Sequence, residues 1–196
     1  SFQDIKTIEY NDRMQAVIIE LEDGVQIDRQ ESLRSITSGC GRGYTYINPL
    51  KQSHYAANTN KSTFPAESIL QTMKRFIEQS DIYNTIGGVH SVLFSSGGFE
   101  VKAEDIGRHN CFDKITGMLM KQNKMELTEN GIIFISGRLT SEMMTKIIRI
   151  GTPVVVSKST PSTSTIRLAR QYNITILGYV LGSKGIIYSC PERLTQ

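Results

Sequence analysis

Four segments of this 196-residue chain gather residue types that could do chemistry. The first is Thr37-Ser38-Gly39-Cys40-Gly41-Arg42-Gly43-Tyr44. Glycines around Cys40 remove shielding side chains and admit backbone angles that other residues avoid. Arg42 favours thiolate over thiol, and the thiolate is the nucleophile. A glycine-rich loop that happens to hold a cysteine is the competing reading. The second is Glu104-Asp105-Ile106-Gly107-Arg108-His109-Asn110. Asp105 suits a helix cap, and Gly107 lets backbone approach a ligand. Arg108 and His109 then open a helix, where free N–H groups and the helix dipole attract anions. Cations at that end are unfavourable for the helix itself, and that mismatch points to a phosphate or carboxylate ligand. A solvated helix start with an exposed arginine is the plainer alternative. The third, Ser136-Gly137-Arg138-Leu139-Thr140-Ser141-Glu142, repeats Gly-Arg ahead of a helix, with Thr140 or Ser141 as the cap. Two guanidinium groups at neighbouring helix starts suit a diphosphate, because arginine pairs bidentately with phosphate oxygens. The fourth, Ser157-Lys158-Ser159-Thr160-Pro161-Ser162-Thr163-Ser164, is rich in hydroxyls that helix capping explains as well as ligand contact does.

These segments need elements to hold them. Ile5, Thr7 and Glu9 alternate with their neighbours up to Asn11-Asp12, and a second apolar run covers 14–21, which predicts a β-hairpin. Residues 22–38 are polar, and 44–63 lack periodicity and read as loop and linker. From Phe64 the pattern turns helical, with Pro65 in a first turn and Ile69, Met73, Phe76 and Ile77 on one face. Strands are predicted over 89–94 and 99–101 around the Ser95-Ser96-Gly97-Gly98 turn. Helices over 109–122, 140–150 and 162–172 then alternate with strands over 132–135, 154–156 and 174–179, and 186–188 closes the chain. That alternation predicts an α/β domain over 63–196: three layers, a mostly parallel inner sheet and helices on both faces. A small N-terminal hairpin and the Cys40 loop occupy 1–62. In such sheets ligands bind beyond the carboxyl ends of the strands, where the second, third and fourth segments fall.

Composition narrows the function. Hydrophobic content of 39% and charged content of 21% are ordinary for a globular chain. A net charge of +3 does not argue for nucleic acid, and no apolar run reaches membrane-spanning length. The start shows neither a signal peptide nor an initiator Met, so an N-terminal part is expected to be missing. Cys40, Cys111 and Cys190 are odd in number and far apart, which favours a reducing, cytoplasmic setting over a disulfide framework. His54, His90 and His109 lack metal-ligand spacing, so no resident metal is expected. Neither a Walker A nor a Rossmann fingerprint is present.

Gly87-Gly88-Val89-His90, the Asp105–Asn110 segment with Asp113-Lys114, Ser136-Gly137-Arg138 with Glu142-Met143, Pro191-Glu192-Arg193 and Ser38-Gly39-Cys40-Gly41 together resemble the formate dehydrogenase accessory sulfurtransferase (FdhD) family. The likeness runs from about residue 35 to the end. It implies a cytidine deaminase-like fold without the zinc ligands. It also implies a role: sulfur is taken from a cysteine desulfurase as a persulfide on Cys40. It then passes to molybdenum bis(molybdopterin guanine dinucleotide), a bound client destined for formate dehydrogenase. Homodimers that bind the guanine nucleotide part are implied as well. Alongside Arg108, His109 and Arg138, the family's cofactor-binding stretch falls on Tyr179, Val180, Leu181, Gly182, Ser183 and Lys184. Two departures stand out. Gly43 replaces a second loop cysteine, which favours a single-thiol relay, and Leu181 stands where the family often has arginine. A carrier of the cofactor without sulfur chemistry is the alternative. A thiol hydrolase or deaminase using Cys40 with His90 or His109 is a third class, but the H-x-E and P-C-x-x-C elements of zinc deaminases are absent.

Overall fold

The computed structural model describes residues 2–25, 34–36, 44–46 and 55–195. The chain divides into two compact units, Ser1–Pro49 and Leu50–Gln196. In the first, β1 (Ile5–Asn11) and β2 (Ala16–Leu21) form the expected antiparallel hairpin. Its turn is fixed by Asn11, whose Oδ1 accepts from Met14 N at 3.0 Å. A second antiparallel pair joins β3 (Arg34–Ile36) to β4 (Tyr44–Tyr46). β4 lies in a stretch expected to be loop. Three residues are too few for a period, and the partner strand satisfies their backbone groups. Cys40 falls between these strands in sequence and lies outside the described residues.

The second unit opens with β5 (Phe64–Pro65), α1 (Ala66–Glu78) and a short α2 (Asp81–Ile86). Next come β6 (His90–Ser96), β7 (Phe99–Asp105) and α3 (Arg108–Lys121). After a 3-10 helix over Met125–Asn130 follow β8 (Ile132–Ile135), α4 (Ser141–Ile150), β9 (Val154–Ser157) and α5 (Thr163–Gln171). The hairpin β10 (Thr175–Leu181) and β11 (Lys184–Ser189) comes next, and β12 (Leu194–Thr195) pairs in parallel with β5.

Six strands make one sheet, in the order β11-β10-β9-β8-β6-β7. The ladders β8–β9 and β9–β10 are parallel, and the other three are antiparallel, so the sheet is mixed around a parallel centre. Alternation along each strand divides the core in two, because successive strand side chains point to opposite faces. Val92, Phe94, Ile133, Ile135, Val155 and Ile176 pack with Phe112, Ile115, Met143 and Ile147 from α3 and α4. Leu93, Phe134, Val154, Val156 and Leu177 face the other way, onto Ile69, Met73 and Phe76 of α1. The unit is therefore a three-layer α/β structure. α4 ends where Gly151 takes φ 88°, a left-handed conformation that suits glycine.

Candidate functional site

Pairing register gathers the chemistry-bearing segments at one end of the sheet. The parallel strands β8 and β9 deliver their carboxyl ends, Ile135 and Ser157, side by side. β6 runs against β8, so its first residues come to the same end: Ser91 N donates to Ser136 Oγ at 2.9 Å, and Ser136 N to Ser91 O at 3.1 Å. β7 runs back along β6 and places Asp105 opposite His90. α3 begins three residues later. His90, Asp105 and Ser136 are far apart in sequence, and the sheet makes them neighbours.

Asp105, expected as the helix cap, does a different job. The N-cap is Gly107, with no side-chain cap bond. Asp105 Oδ1 accepts from Gly107 N at 2.8 Å and from Asn110 Nδ2 at 2.9 Å, and Oδ2 pairs with Lys114 Nζ at 2.6 Å. It braces the turn two residues before the cap, and the N-terminus of α3 stays open. Thr140 is the N-cap of α4, also without a side-chain cap bond, whereas Ser162 does cap α5, accepting from Thr165 N at 3.3 Å.

Beside the open end of α3, three buried polar atoms have no hydrogen-bond partner among the described residues: Arg108 Nε and both ring nitrogens of His109. Buried polar atoms are paired in the great majority of native positions, so three together single out this place as a candidate for a bound group. Burial first, then Lys146 and Arg108, push the His109 pKa below its ordinary 6.5, against the opposing pull of Glu142 and Asp113. His109 is therefore neutral near pH 7 and offers one N–H donor and one lone pair. Glu142 lies in the first turn of α4. Lys146 pairs with Asp113. His90 is half-buried, and its pKa is lowered by burial and then by Arg108. A methyl group on Gly137 would stand 3.0 Å from His90 Nδ1, so a larger residue there would press on that ring. An open helix N-terminus, a guanidinium N–H and a neutral imidazole N–H are together able to hold an anion.

The structure thus brings Arg108 and His109 together with His90 and Glu142. Arg138 leaves the same loop one residue after Gly137 and is exposed. The stretch 179–184 lies elsewhere along this end, on the β10–β11 hairpin, with β9 and β8 between β10 and β6. Tyr179 and Leu181 are about half exposed, Gly182 and Ser183 form the exposed turn, and Lys184, also exposed, opens β11. The Val180 side chain is buried in the α1 core, so its backbone is what a ligand would meet. Sequence reasoning passed over Glu142 and Lys146 as partners of His109. Their spacing, i and i+4 on one helix, was a usable signal.

Two cysteines are described. Cys111 is fully buried, its thiol 3.2 Å from His90 O, and burial above all pushes its pKa up to about 11. Cys190 is half-buried and also raised, by burial and then by Glu192. Neither environment favours thiolate. Among the described residues, no three His, Cys, Asp or Glu side chains form a metal-holding group, and no helix is long and apolar enough to cross a membrane.

The model of the FdhD/NarQ family matches residues 1–195. Two relatives from Staphylococcus aureus strains, each named sulfur carrier protein FdhD, are 36% identical over 162 residues. That alignment takes in 82% of this chain and 60% of each relative, so the chain spans 60% of the length of the relatives it matches. In three dimensions the chain is similar to a formate dehydrogenase accessory protein from Desulfotalea psychrophila. The TM-score is 0.75 at 22% identity, over 98% of this chain and 72% of the other.

Proposed function

Because the chain belongs to the FdhD/NarQ family, we propose that it is a sulfur carrier that serves formate dehydrogenase. In this reading Cys40 carries sulfur as a persulfide, and the end of the sheet holding Arg108 and His109 binds the guanine nucleotide part of molybdenum bis(molybdopterin guanine dinucleotide). The observation that carries it is the set of three buried, unpaired polar atoms on Arg108 and His109 beside an open helix N-terminus. A phosphate group suits them, because Arg108 Nε–H and a neutral imidazole N–H are both hydrogen-bond donors to an anion. Arg138 is close enough in sequence to Gly137 to reach the same ligand from the rim. The 179–184 turn extends the site along the sheet end through backbone groups and Lys184.

Sulfur transfer to this chain requires no net redox change. The Cys40 thiolate attacks the terminal sulfur of a persulfide on the donor, a cysteine desulfurase. The donor S–S bond breaks, and the donor cysteine leaves as thiolate. Cys40 suits this role because its flanking sequence gives access and a nearby cation, while Cys111 and Cys190 are disfavoured by burial. With Gly43 where a second loop cysteine would stand, the relay uses one thiol. The reading includes a homodimer, for which the exposed Ile186 and Ile187 on the outer strand β11 offer an apolar edge.

Incubation with a cysteine desulfurase and cysteine, followed by mass spectrometry, should find one added sulfur on the Cys40 peptide. Cys40→Ala should lose it and fail to restore formate dehydrogenase activity in cells lacking the carrier. A persulfide mainly on Cys111 or Cys190, with Cys40→Ala fully active, would overturn the assignment. A carrier of the cofactor alone needs the arginine–histidine end but not Cys40, and full activity of Cys40→Ala without any persulfide selects it.

A further inference from the structure

The outer edge of β7, at one margin of the sheet, borders a groove of about 420 Å³ against α3. The register of β6 and β7 fixes which backbone groups face it. Gly97 and Gly98, at φ 56° and 87°, form a two-residue turn, so Ser96 and Phe99 are a hydrogen-bonded pair. Bonded and open pairs alternate along an antiparallel ladder. Phe99, Val101, Ala103 and Asp105 therefore spend their backbone groups on β6, and Glu100, Lys102 and Glu104 turn theirs outward. Glu104 O bears this out, accepting from Lys114 Nζ of α3 at 3.0 Å. Among the described residues no strand pairs with β7 on that side, which leaves the N–H and C=O of Lys102 and the N–H of Glu104 open to an added strand.

The groove beside this edge has an apolar floor and a basic rim. Ala103, Gly117 and Met118 make the floor. Gly117 sits in the middle of α3, where alanine would serve the helix better, and a Cβ there would meet nothing within 4 Å. Its missing side chain keeps the floor open. Lys102, Lys114 and Lys121 line the groove together with Glu104. Lys114 is paired with Asp105 at 2.6 Å, but Lys102 and Lys121 are exposed and form no ion pair among the described residues. Lys102 Nζ donates to Gln79 O at 2.5 Å, a neutral partner that leaves its charge uncancelled. The Glu104 carboxylate is turned to the other face, where it accepts from Ser91 Oγ at 2.8 Å and from Ile82 N at 3.4 Å. Open edge groups accept an extended chain, the floor accepts its apolar side chains, and the two lysines favour carboxylates. We propose that an extended acidic segment of a partner polypeptide binds here as an added strand on β7, with alternate apolar side chains on Ala103, Gly117 and Met118 and its carboxylates beside Lys102 and Lys121. The groove is separate from the site assigned above, and the proposal stands whether or not that assignment holds.

Three end-blocked peptides test it: Glu-Val-Glu-Val-Glu, Lys-Val-Lys-Val-Lys, and the acidic sequence with every peptide nitrogen methylated. In NMR titrations of the isotopically labelled chain, the acidic peptide should give saturable shifts at Lys102, Glu104 and Gly117. Hydrogen exchange at the Lys102 and Glu104 amides should slow as they gain partners, while Val101 and Ala103, already bonded to β6, keep their rates. The basic peptide should bind about tenfold more weakly or worse, and the methylated one, which cannot donate to the edge, should not bind. Gly117→Leu, which fills the floor, should weaken the acidic peptide about tenfold without lowering Tm. Lys121→Glu, a surface change, should weaken it about fivefold. The proposal fails if the acidic peptide gives no saturable shift there, if the basic or methylated peptide binds as tightly, or if both variants bind like the parent. Concentration-dependent shifts at Lys102 and Glu104 without any peptide would assign the edge to a second copy of the chain and overturn it as well.

Discussion

Arg193 and Arg108 stand at opposite ends of one six-stranded sheet and are used in opposite ways. Arg193 is 2% exposed, and its guanidinium spends four bonds on the oxygens of Asn58, Asn60 and Asn173. Those bonds clip residues 58–60 and the last residues of the chain onto the ends of α4 and α5. Arg108 is half-buried, and its buried Nε makes no bond among the described residues. A buried donor left open is costly, so the fold tolerates it only where another gain exists. One arginine closes the structure, and the other is the one the proposed function assigns to a ligand.

The largest expected effect breaks the first half of that contrast. Arg193→Ala leaves the acceptor oxygens of Asn58, Asn60 and Asn173 without their donor, and each buried group that loses its partner costs about 1–3 kcal/mol. Urea unfolding should show a loss of about 3 kcal/mol or more. A loss under about 1 kcal/mol would mean that Arg193 is not a clip.

A smaller effect tests the other arginine. Arg108→Ala should leave folding stability within about 1 kcal/mol of the parent, since Arg108 Nε makes no bond among the described residues. Its affinity for GDP, measured by calorimetry, should fall about tenfold or more, as expected for a lost charge-assisted bond to phosphate. Parent-like GDP binding by Arg108→Ala would place the nucleotide elsewhere, and a stability loss matching that of Arg193→Ala would erase the contrast.

The smallest effect sharpens the site through pH. The pKa of His109 is lowered from 6.5 in the folded chain. Between that lower value and 6.5 the unfolded chain binds a proton that the folded chain does not, so stability rises with pH across the window. The contribution is fully present above pH 6.5 and is lost as pH falls through 6.5 toward the folded value. His90 acts in the same direction. Unfolding measured from pH 5 to 7 should therefore show a shallower dependence of stability on pH for His109→Gln than for the parent. Bound GDP should raise the His109 pKa, read from its ring resonances. An unchanged slope and an unmoved pKa would remove His109 from the anion site.

Much of the fold was legible wherever an element's period is complete within itself. Ile132–Ile135 stands out because a short apolar run sits between Gly131 and Ser136-Gly137. The buried faces of α1 and α4 stand out because Ile69, Met73 and Phe76, and Met143, Ile147 and Ile150, recur at helical spacing. What escaped depends on distant partners. Phe64–Pro65 read as the start of a helix, yet it pairs with Leu194–Thr195 at the other end of the chain, and α1 begins at Ala66. Asp81–Ile86 is too short to show a period. At the site, the two Gly-Arg helix starts were readable, because glycine and arginine ahead of a helix break local preference. The neighbours of His109 and the contact between His90 and Gly137 were not.

By itself the sequence determined the alternation of strands and helices, the apolar face of each, the exposure-favouring glycines around Cys40 and the family to which the chain belongs. Local propensity and periodicity need only neighbouring residues, and family motifs need only identity. The tertiary structure alone decided that β6 enters the sheet antiparallel beside β8, which brings His90 to Gly137 and Arg108. It alone left Arg108, His109, Thr140 and Thr152 with buried polar atoms that have no partner among the described residues, while bonding Arg193 four times. Whether a polar atom finds a partner depends on every element packed around it, and that sum exists only once the layers have closed.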